Sequence, residues 1–492
     1  MKTIKVPPGA KRLIESLRDI GYDFQTAVAD LIDNSLVADA SEIHVEIYAK
    51  TAKHPASHIV IADNGRGMDR TELTEAMRFG SERDYAQDDL GKYGLGLKTA
   101  SLSQCSKLTV ASRPVSRGGT KARRNILRWD LQHVYKKNAW ELIEPEQSEL
   151  DEWEQKALYH EVTRDRGTAV VWSNLSESMP LLEEENIDKR MRFQARLIED
   201  LIQHLRMVFH RFIQGTVPER KKVDIFVSGT KLKAWDPFCL ETEKTRQLDT
   251  ERYPVNAGTV GRRIVVVKPY VLPNEKEFST PEAFKEATGP LKWNQQQGFY
   301  FYRNHRMLQA GGWNGIRSTD EHIKLLRIAV DFPSDLDKAF AININKMRAK
   351  VPDAIREDIK AALPKWVGKA ESRYRGGKSK SGNYTQPDNK YPQARETETP
   401  VTLTLGNVSF AMSNANATGL IVAKGDRPGR IKVVIPHRHE LSVIFSKGNG
   451  NASDLRRFCT GLIGLLEAVH EGKMKPDAIP LDSLKKTLKR YL

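Results

Sequence analysis

Three short stretches hold residues whose types and spacing could do chemistry. In TAVADLIDNSLVADA, the spacing of Ala27, Leu31, Ser35 and Ala38 predicts a helix over residues 25–38. Asp30 and Asn34 lie four residues apart on it, so a carboxylate and an amide share one face, one turn apart. In SHIVIADNGRGM, a strand-like run ends in an acid, Asp63, and enters a turn with Gly65 and Gly67. In GKYGLGLKTA, Gly91, Gly94 and Gly96 sit just before a predicted helix that carries Lys98. Glycines let backbone N–H groups approach a ligand closely. A helix N-terminus adds donors and a dipole that favours anions. A lysine in the first turn adds a formal charge, and together these parts would make a phosphate cradle. Taken singly, each stretch also reads as something plainer: a solvated helix face, a strand-ending turn, a flexible connector. Order and spacing make the combination specific: D-x-x-x-N, then D-x-G-x-G about 30 residues on, then G-x-x-G-x-G-x-K about 30 further, then a strand opening Gly167–Thr168.

The elements that must position these residues follow from the same periodicities. KRLIESLRDI (11–20) predicts a short amphipathic helix before the 25–38 helix. Residues 41–49 alternate like a strand, and 57–68 read as a strand running into a turn. A helix follows with Asp69 as its N-cap, then a polar loop over 80–96, then a helix over about 96–104. Strands are expected at 107–113 and 167–172, and a long helix at about 185–214. KVDIFVSGTKL, RRIVVVKPYVL and GFYFYRNHRML predict a second set of strands, followed by FAININKMRAKVPDAIREDIKAAL. Residues 369–399 are polar, rich in glycine and charge and nearly free of aliphatic side chains, as expected of a linker. Residues 400–492 contain three strand-like runs and a helix, SDLRRFCTGLIGLLEAVHEG. No internal repeat is evident.

A chain of 492 residues is too long for one ordinary core and implies two to four domains. Hydrophobic content of 39% and charged content of 29% describe a soluble globular protein. No apolar run approaches the roughly 20 residues of a membrane helix. MKTIKVPPGAKRL lacks an apolar core and a small-residue cleavage site, so no secretory signal is expected. Cys105, Cys239 and Cys459 are odd in number and far apart, which fits a reducing, cytoplasmic setting without disulfides or zinc spacing. A net charge of +15 favours polyanionic partners, nucleic acid above all. In GFYFYRNHRMLQAGGW, Arg303, His305 and Arg306 among aromatics read either as a nucleic-acid contact or as a core strand ending in an exposed basic hairpin. RYRGGKSKSGNY reads either as a basic arm for phosphates or as a solubilising tether. His44, His54, His58 and the HRH at 437–439 lack carboxylate or cysteine partners at a recognisable ligand spacing, so no metal site is expected from them.

The four-part pattern resembles the GHKL ATPase superfamily with its Bergerat nucleotide-binding fold. Within it, GKYGLGLKTASLSQC, GTAVVW, DIFVSGTKLKAWDPF and GFYFYRNHRML are most similar to the MORC and MutL branch. The resemblance covers about residues 10 to 360. It implies an α/β (α+β) fold, a sandwich of helices on a mixed sheet, followed by a transducer-type α/β domain and a small C-terminal α/β domain. The corresponding boundaries are 1–220 for the ATP-binding domain, 221–367 for the transducer, 368–399 for a flexible basic linker and 400–492 for the last domain.

The resemblance also implies roles. Asn34 would ligate Mg2+ through its amide oxygen. Asp63 would accept a hydrogen bond from the adenine amino group, Gly67 would leave room for the base, and Thr168 would hold the adenine side. Gly65 and Met68 belong to the same base-binding turn. Gly91, Lys92, Tyr93, Gly94, Leu95, Gly96, Leu97 and Lys98 would wrap the phosphates, with loop 80–96 as a lid. Asp30 stands where relatives carry a glutamate that activates the attacking water; an aspartate, one methylene shorter, implies slow hydrolysis. Lys346, or its neighbours Arg348 and Lys350, would reach the γ-phosphate. The implied function is an ATPase switch that closes as a homodimer and clamps DNA without sequence readout, with no membrane association. A chaperone-like ATPase acting on proteins and a nucleotide-gated binding module with little turnover are the alternatives.

Overall fold

The computed structural model describes residues 8–18, 22–52, 54–80, 96–116, 121–175, 178–240, 244–342 and 349–376, and four strands between 402 and 436. Two compact units divide the chain, Met1–Gly382 and Asn383–Leu492.

The first unit opens with α1 (Ala10–Arg18) and α2 (Phe24–Val37), then β1 (Glu42–Tyr48) and β2 (His58–Asp63). The helices α3 (Arg70–Met77) and α4 (Gly96–Gln104) lead into β3 (Lys107–Arg113) and β4 (Asn125–Asp130), followed by α5 (Leu131–Lys137) and α6 (Glu152–Leu158). Next come β5 (Gly167–Ser173), the long α7 (Ile187–Val208), the single turn α8 (His210–Gln214), β6 (Asp224–Val227) and β7 (Thr230–Lys231). These strands form one seven-stranded sheet in the order β4-β3-β5-β2-β1-β6-β7. Every pairing in it is antiparallel except β1 with β6.

Alternation along the strands decides which side each residue faces. Ile43, Val45 and Ile47 of β1 and Ile59 and Ile61 of β2 enter a core shared with α1, α2, α4 and α7. Val60 and Ala62 enter a smaller cluster on the other face, closed by Leu150, Ala157 and Leu158 at α6. Both faces of β2 are therefore covered, which explains why HIVIAD is buried throughout. The turn after β2 is pinned by a capping box: Asp69 accepts the Glu72 N–H, and Glu72 accepts the Asp69 N–H.

A second sheet follows: β8 (Arg246–Gln247), β9 (Glu251–Asn256), β10 (Arg262–Val271), then helix α9 (Pro281–Thr288), β11 (Gly298–Arg303), β12 (Arg306–Gln309) and β13 (Leu326–Phe332). Its order is β12-β11-β13-β10-β8, with β9 also on β10. Helix α10 (Asp353–Gly376) lays Ile355, Ile359, Leu363, Trp366, Val367 and Ala370 against this sheet. In the second unit, β14 (Thr402–Leu405), β15 (Val408–Ser413), β16 (Ile421–Lys424) and β17 (Ile431–Pro436) form a sheet in the order β14-β15-β17-β16.

Three expectations shift. β6 and β7 complete the first sheet, so residues 224–231 do not start the second α/β region as the 220/221 boundary would have it; the parallel register of β6 on β1 holds them there. Helix α10 runs through Gly376, so residues 369–376, polar enough to read as linker, are helical. Ala370 extends the apolar stripe by one turn past Trp366, which is what carries the helix on. The long helix over 185–214 is broken at Phe209 into α7 and α8. The helix expected after residue 452 and most of the linker lie outside the described residues.

Candidate active site

Helix α2 starts at an N-cap, Asp23, whose side chain accepts the Thr26 N–H at 2.7 Å. It is buried on nearly every side, Asp30 and Asp33 included. Asn34 is the exception and is exposed. Its amide has no hydrogen-bond partner among the described residues, which leaves a hard oxygen donor of the kind Mg2+ takes.

Asp30 is held from two sides. The Tyr22 hydroxyl donates to its Oδ2 at 3.1 Å. Burial, then the Asp30 charge, pushes the Tyr22 phenol above its usual range, so it stays a donor, and the Thr99 hydroxyl donates to it in turn. From the second sheet, Arg306 at the start of β12 places Nη2 at 3.8 Å from Asp30 Oδ1 and Nε at 3.1 Å from Asp33 Oδ1. Gly96 opens α4 against the same acid: a Cβ there would stand 3.9 Å from Asp30 Oδ2. The N-terminus of a nine-residue helix, with the favourable dipole it carries for anions, thus meets a buried carboxylate one turn from an open amide.

Asp63 ends β2 as expected and is buried. Its Oδ1 accepts the Gly65 N–H at 2.8 Å and its Oδ2 accepts the Ser35 hydroxyl at 2.9 Å. Burial outweighs these bonds and pushes its carboxyl up to about 6. Each oxygen keeps acceptor capacity for a further donor. Thr168 sits opposite Asp63 across β2 and β5. Its hydroxyl shares a 2.8 Å hydrogen bond with Ser112, which also accepts the Met68 N–H at 2.8 Å. Ser35 and Ser112 were missed in the sequence. Ser35 directly follows the D-x-x-x-N pair, where a signal existed; Ser112 shows itself only through the β3–β5 register.

The turn glycines answer first to the backbone. Gly67 has φ +65°, and a Cβ on it would come within 1.8 Å of the Arg113 carbonyl. Gly167 has φ +124°, and its Cβ would meet the Asp63 carbonyl at 1.9 Å. The space beside Gly67 is thus filled by β3. Lys98 lies in the first turn of α4, but its ammonium is buried and donates to the Ala76 carbonyl at 2.9 Å. Burial lowers it to about 8. Gly91, Lys92, Tyr93, Gly94, Leu95, Lys346 and Arg348 lie outside the described residues. Lys350 is exposed, with Nζ 3.3 Å from Asp353.

The basic hairpin is not an exposed surface. β11 is buried throughout, and the two-residue turn Asn304–His305 has positive φ at both positions. Arg303 is buried against Asp337 at 2.7 Å, and Arg306 is buried against α2. Aromatic and basic letters side by side read as a nucleic-acid contact because their acidic partners lie far away in sequence. Arg306 was likewise invisible as a neighbour of Asp30.

Residues 22–168 match the family described as histidine kinase-, DNA gyrase B- and HSP90-like ATPase. The chain is 35% identical over 96 residues to the DNA mismatch repair protein MutL of Colwellia psychrerythraea, covering 18% of this chain and 14% of that protein. It is 36% identical over 80 residues to the ATPase MORC2B of Mus musculus, covering 15% of this chain and 8% of that protein. The matched part is thus a small fraction of either relative's length. A solved N-terminal domain of a DNA repair protein superposes with a TM-score of 0.36 at 13% identity, over 75% of this chain and 98% of that one.

Proposed function

We propose, from the premise that residues 22–168 carry a domain of the histidine kinase-, DNA gyrase B- and HSP90-like ATPase family, that the chain is a slow Mg-ATP hydrolysing switch acting on DNA. One observation carries this reading above the rest: the N-terminus of α4 faces Asp30, one helical turn from the open amide of Asn34. Asn34 would hold Mg2+, which when bound neutralises charge on the phosphates. Asp63 accepts from the adenine amino group, beside Gly65, Gly67, Met68 and Thr168. Backbone N–H groups of residues 91–97 receive the phosphates, and Lys98 adds its charge to the first turn of α4.

Asp30 orients the attacking water and takes its proton. Tyr22 and Arg306 fix the carboxylate, so little freedom remains to make up for the methylene that an aspartate lacks. This favours slow turnover, and at the limit a nucleotide-gated binding module. Lys346 supplies the cation at the γ-phosphate. Closure of loop 80–96 and pairing of two chains around DNA follow by analogy. The net charge of +15 and a DNA mismatch repair protein among the matched relatives support a DNA partner.

The test is steady-state ATP hydrolysis with and without double-stranded DNA, alongside Asp30→Asn and Asn34→Ala. DNA-stimulated hydrolysis that both variants abolish is expected. Nucleotide binding without hydrolysis under any condition would leave the gated module; no nucleotide binding would end the reading.

A further inference from the structure

We propose that His44, Glu46 and His160 form a site for a divalent transition-metal ion, zinc foremost, that ties the segment leading into β5 to strand β1. This site is separate from the nucleotide and does not rest on the ATPase reading.

Strand alternation supplies two of the ligands. Ile43, Val45 and Ile47 point into the helix-side core, so His44 and Glu46 share the opposite face of β1. The third comes from a short 3-10 turn, Glu161–Thr163, packed on the same face, with His160 as its N-cap. One donor atom from each of the three lies within 4.8 Å of the others, and all three residues are partly buried. The spacing 44, 46, 160 carries no ligand signature, which is why sequence spacing points away from a metal here.

The surroundings are built in the manner of a metal site. The His44 ring is stacked on Phe226, 4.6 Å between centroids and 7° from parallel, which fixes its plane. Its Nε2 lies 2.7 Å from Glu42 Oε1. With Nε2–H donated to that carboxylate, the other ring nitrogen keeps its lone pair, the orienting arrangement typical of metal-bound histidine. The Val162 N–H donates to His160 Nδ1 at 3.2 Å. A metal on Nε2 needs the opposite tautomer, so binding gives up that one long contact.

Two imidazoles and one carboxylate suit zinc and its first-row neighbours rather than Mg2+ or Ca2+. Three protein ligands leave a fourth position for water. β1 lies between β2 and β6 and is a rigid base. The chain leaves His160 and reaches Gly167 and Thr168, opposite Asp63, within a few residues.

The full chain is dialysed against Zn2+, washed and assayed for bound metal, and the Co2+ form is examined for ligand-field absorption. About one equivalent per chain is expected, with affinity at least about tenfold lower in His160→Ala and Glu46→Gln. Zn2+ should raise the melting temperature of the wild type and leave that of His160→Ala unmoved. His54→Ala, outside the triad, and Asn34→Ala, at the proposed magnesium ligand, should bind as wild type does. Equal binding by His160→Ala and wild type, or loss of binding in Asn34→Ala, would overturn the site. Circular dichroism of His160→Ala shows that a loss is not one of folding.

Discussion

Arg306 serves two carboxylates of α2 at once, and both are buried. Removing it takes the guanidinium from both buried acids, and breaking a buried pair costs about 3 kcal/mol or more. Arg306→Ala should lower the unfolding free energy read from urea titration by that amount, and Arg306→Lys should recover only part, since an ammonium cannot reproduce the planar fork. A change below about 1 kcal/mol would show that the pair is not anchoring. Asp63 offers a second test. Its carboxyl titrates near 6 when folded and near 3.8 in the open chain. Between those values the native state holds the extra proton, so stability falls as pH rises through the window, by ~3 kcal/mol in all. A nucleotide that donates to the ionised carboxylate pulls the other way. ATP affinity should rise as pH rises through about 6, and Asp63→Asn should bind weakly with that dependence gone. Calorimetry with a non-hydrolysable analogue at about pH 5 and about pH 7.5 decides it. At this scale the sequence disclosed residues whose meaning is local, such as Asp63 at a strand end. It hid Arg306, whose partner in α2 is some 270 residues away.

Elements were legible where a period is clean. The spacing in 25–38, the alternation in 41–49 and the N-cap at Asp69 each reappear within a residue or two as α2, β1 and α3. β4 escaped notice because NILRWD is short and mixes charge with apolar residues. Its Arg128 is buried beside Glu154 at 2.7 Å, a pairing that no local pattern announces. The turn between β2 and α3 depends on a glycine for reasons of backbone. Gly67→Ala would put a Cβ against the Arg113 carbonyl at a left-handed φ, so a loss of ~2 kcal/mol or more is expected in thermal denaturation. An unchanged melting temperature would mean that β3 can yield there. Gly96→Ala is the contrasting case: its Cβ has ordinary contact distance to Asp30, so folding should survive while nucleotide binding weakens.

The whole molecule divides after Gly382, and both hydrophobic clusters behind the two larger sheets lie on the first side. A fragment of residues 1–382 should therefore unfold cooperatively and keep nucleotide affinity within about twofold of the full chain. A fragment that fails to fold would assign the last unit a structural part. No helix among the described residues is long and apolar enough to cross a membrane. Length alone implies more than one domain, while the division inside the first unit depends on which sheet β6 joins. That choice has a price in time. β6 is the parallel neighbour of β1, and Glu42 pairs with Asp224, about 180 residues later. On the ribosome, β1 emerges early and can pair with β2 at once. Its other edge has no strand until the chain has grown past residue 227, by which point every strand of the nucleotide-site region has been made. At roughly 5–20 residues per second, that edge stays open for about 10–40 seconds of synthesis. The interval is one in which an unpaired strand edge is exposed to other nascent chains, and it closes only when β6 arrives.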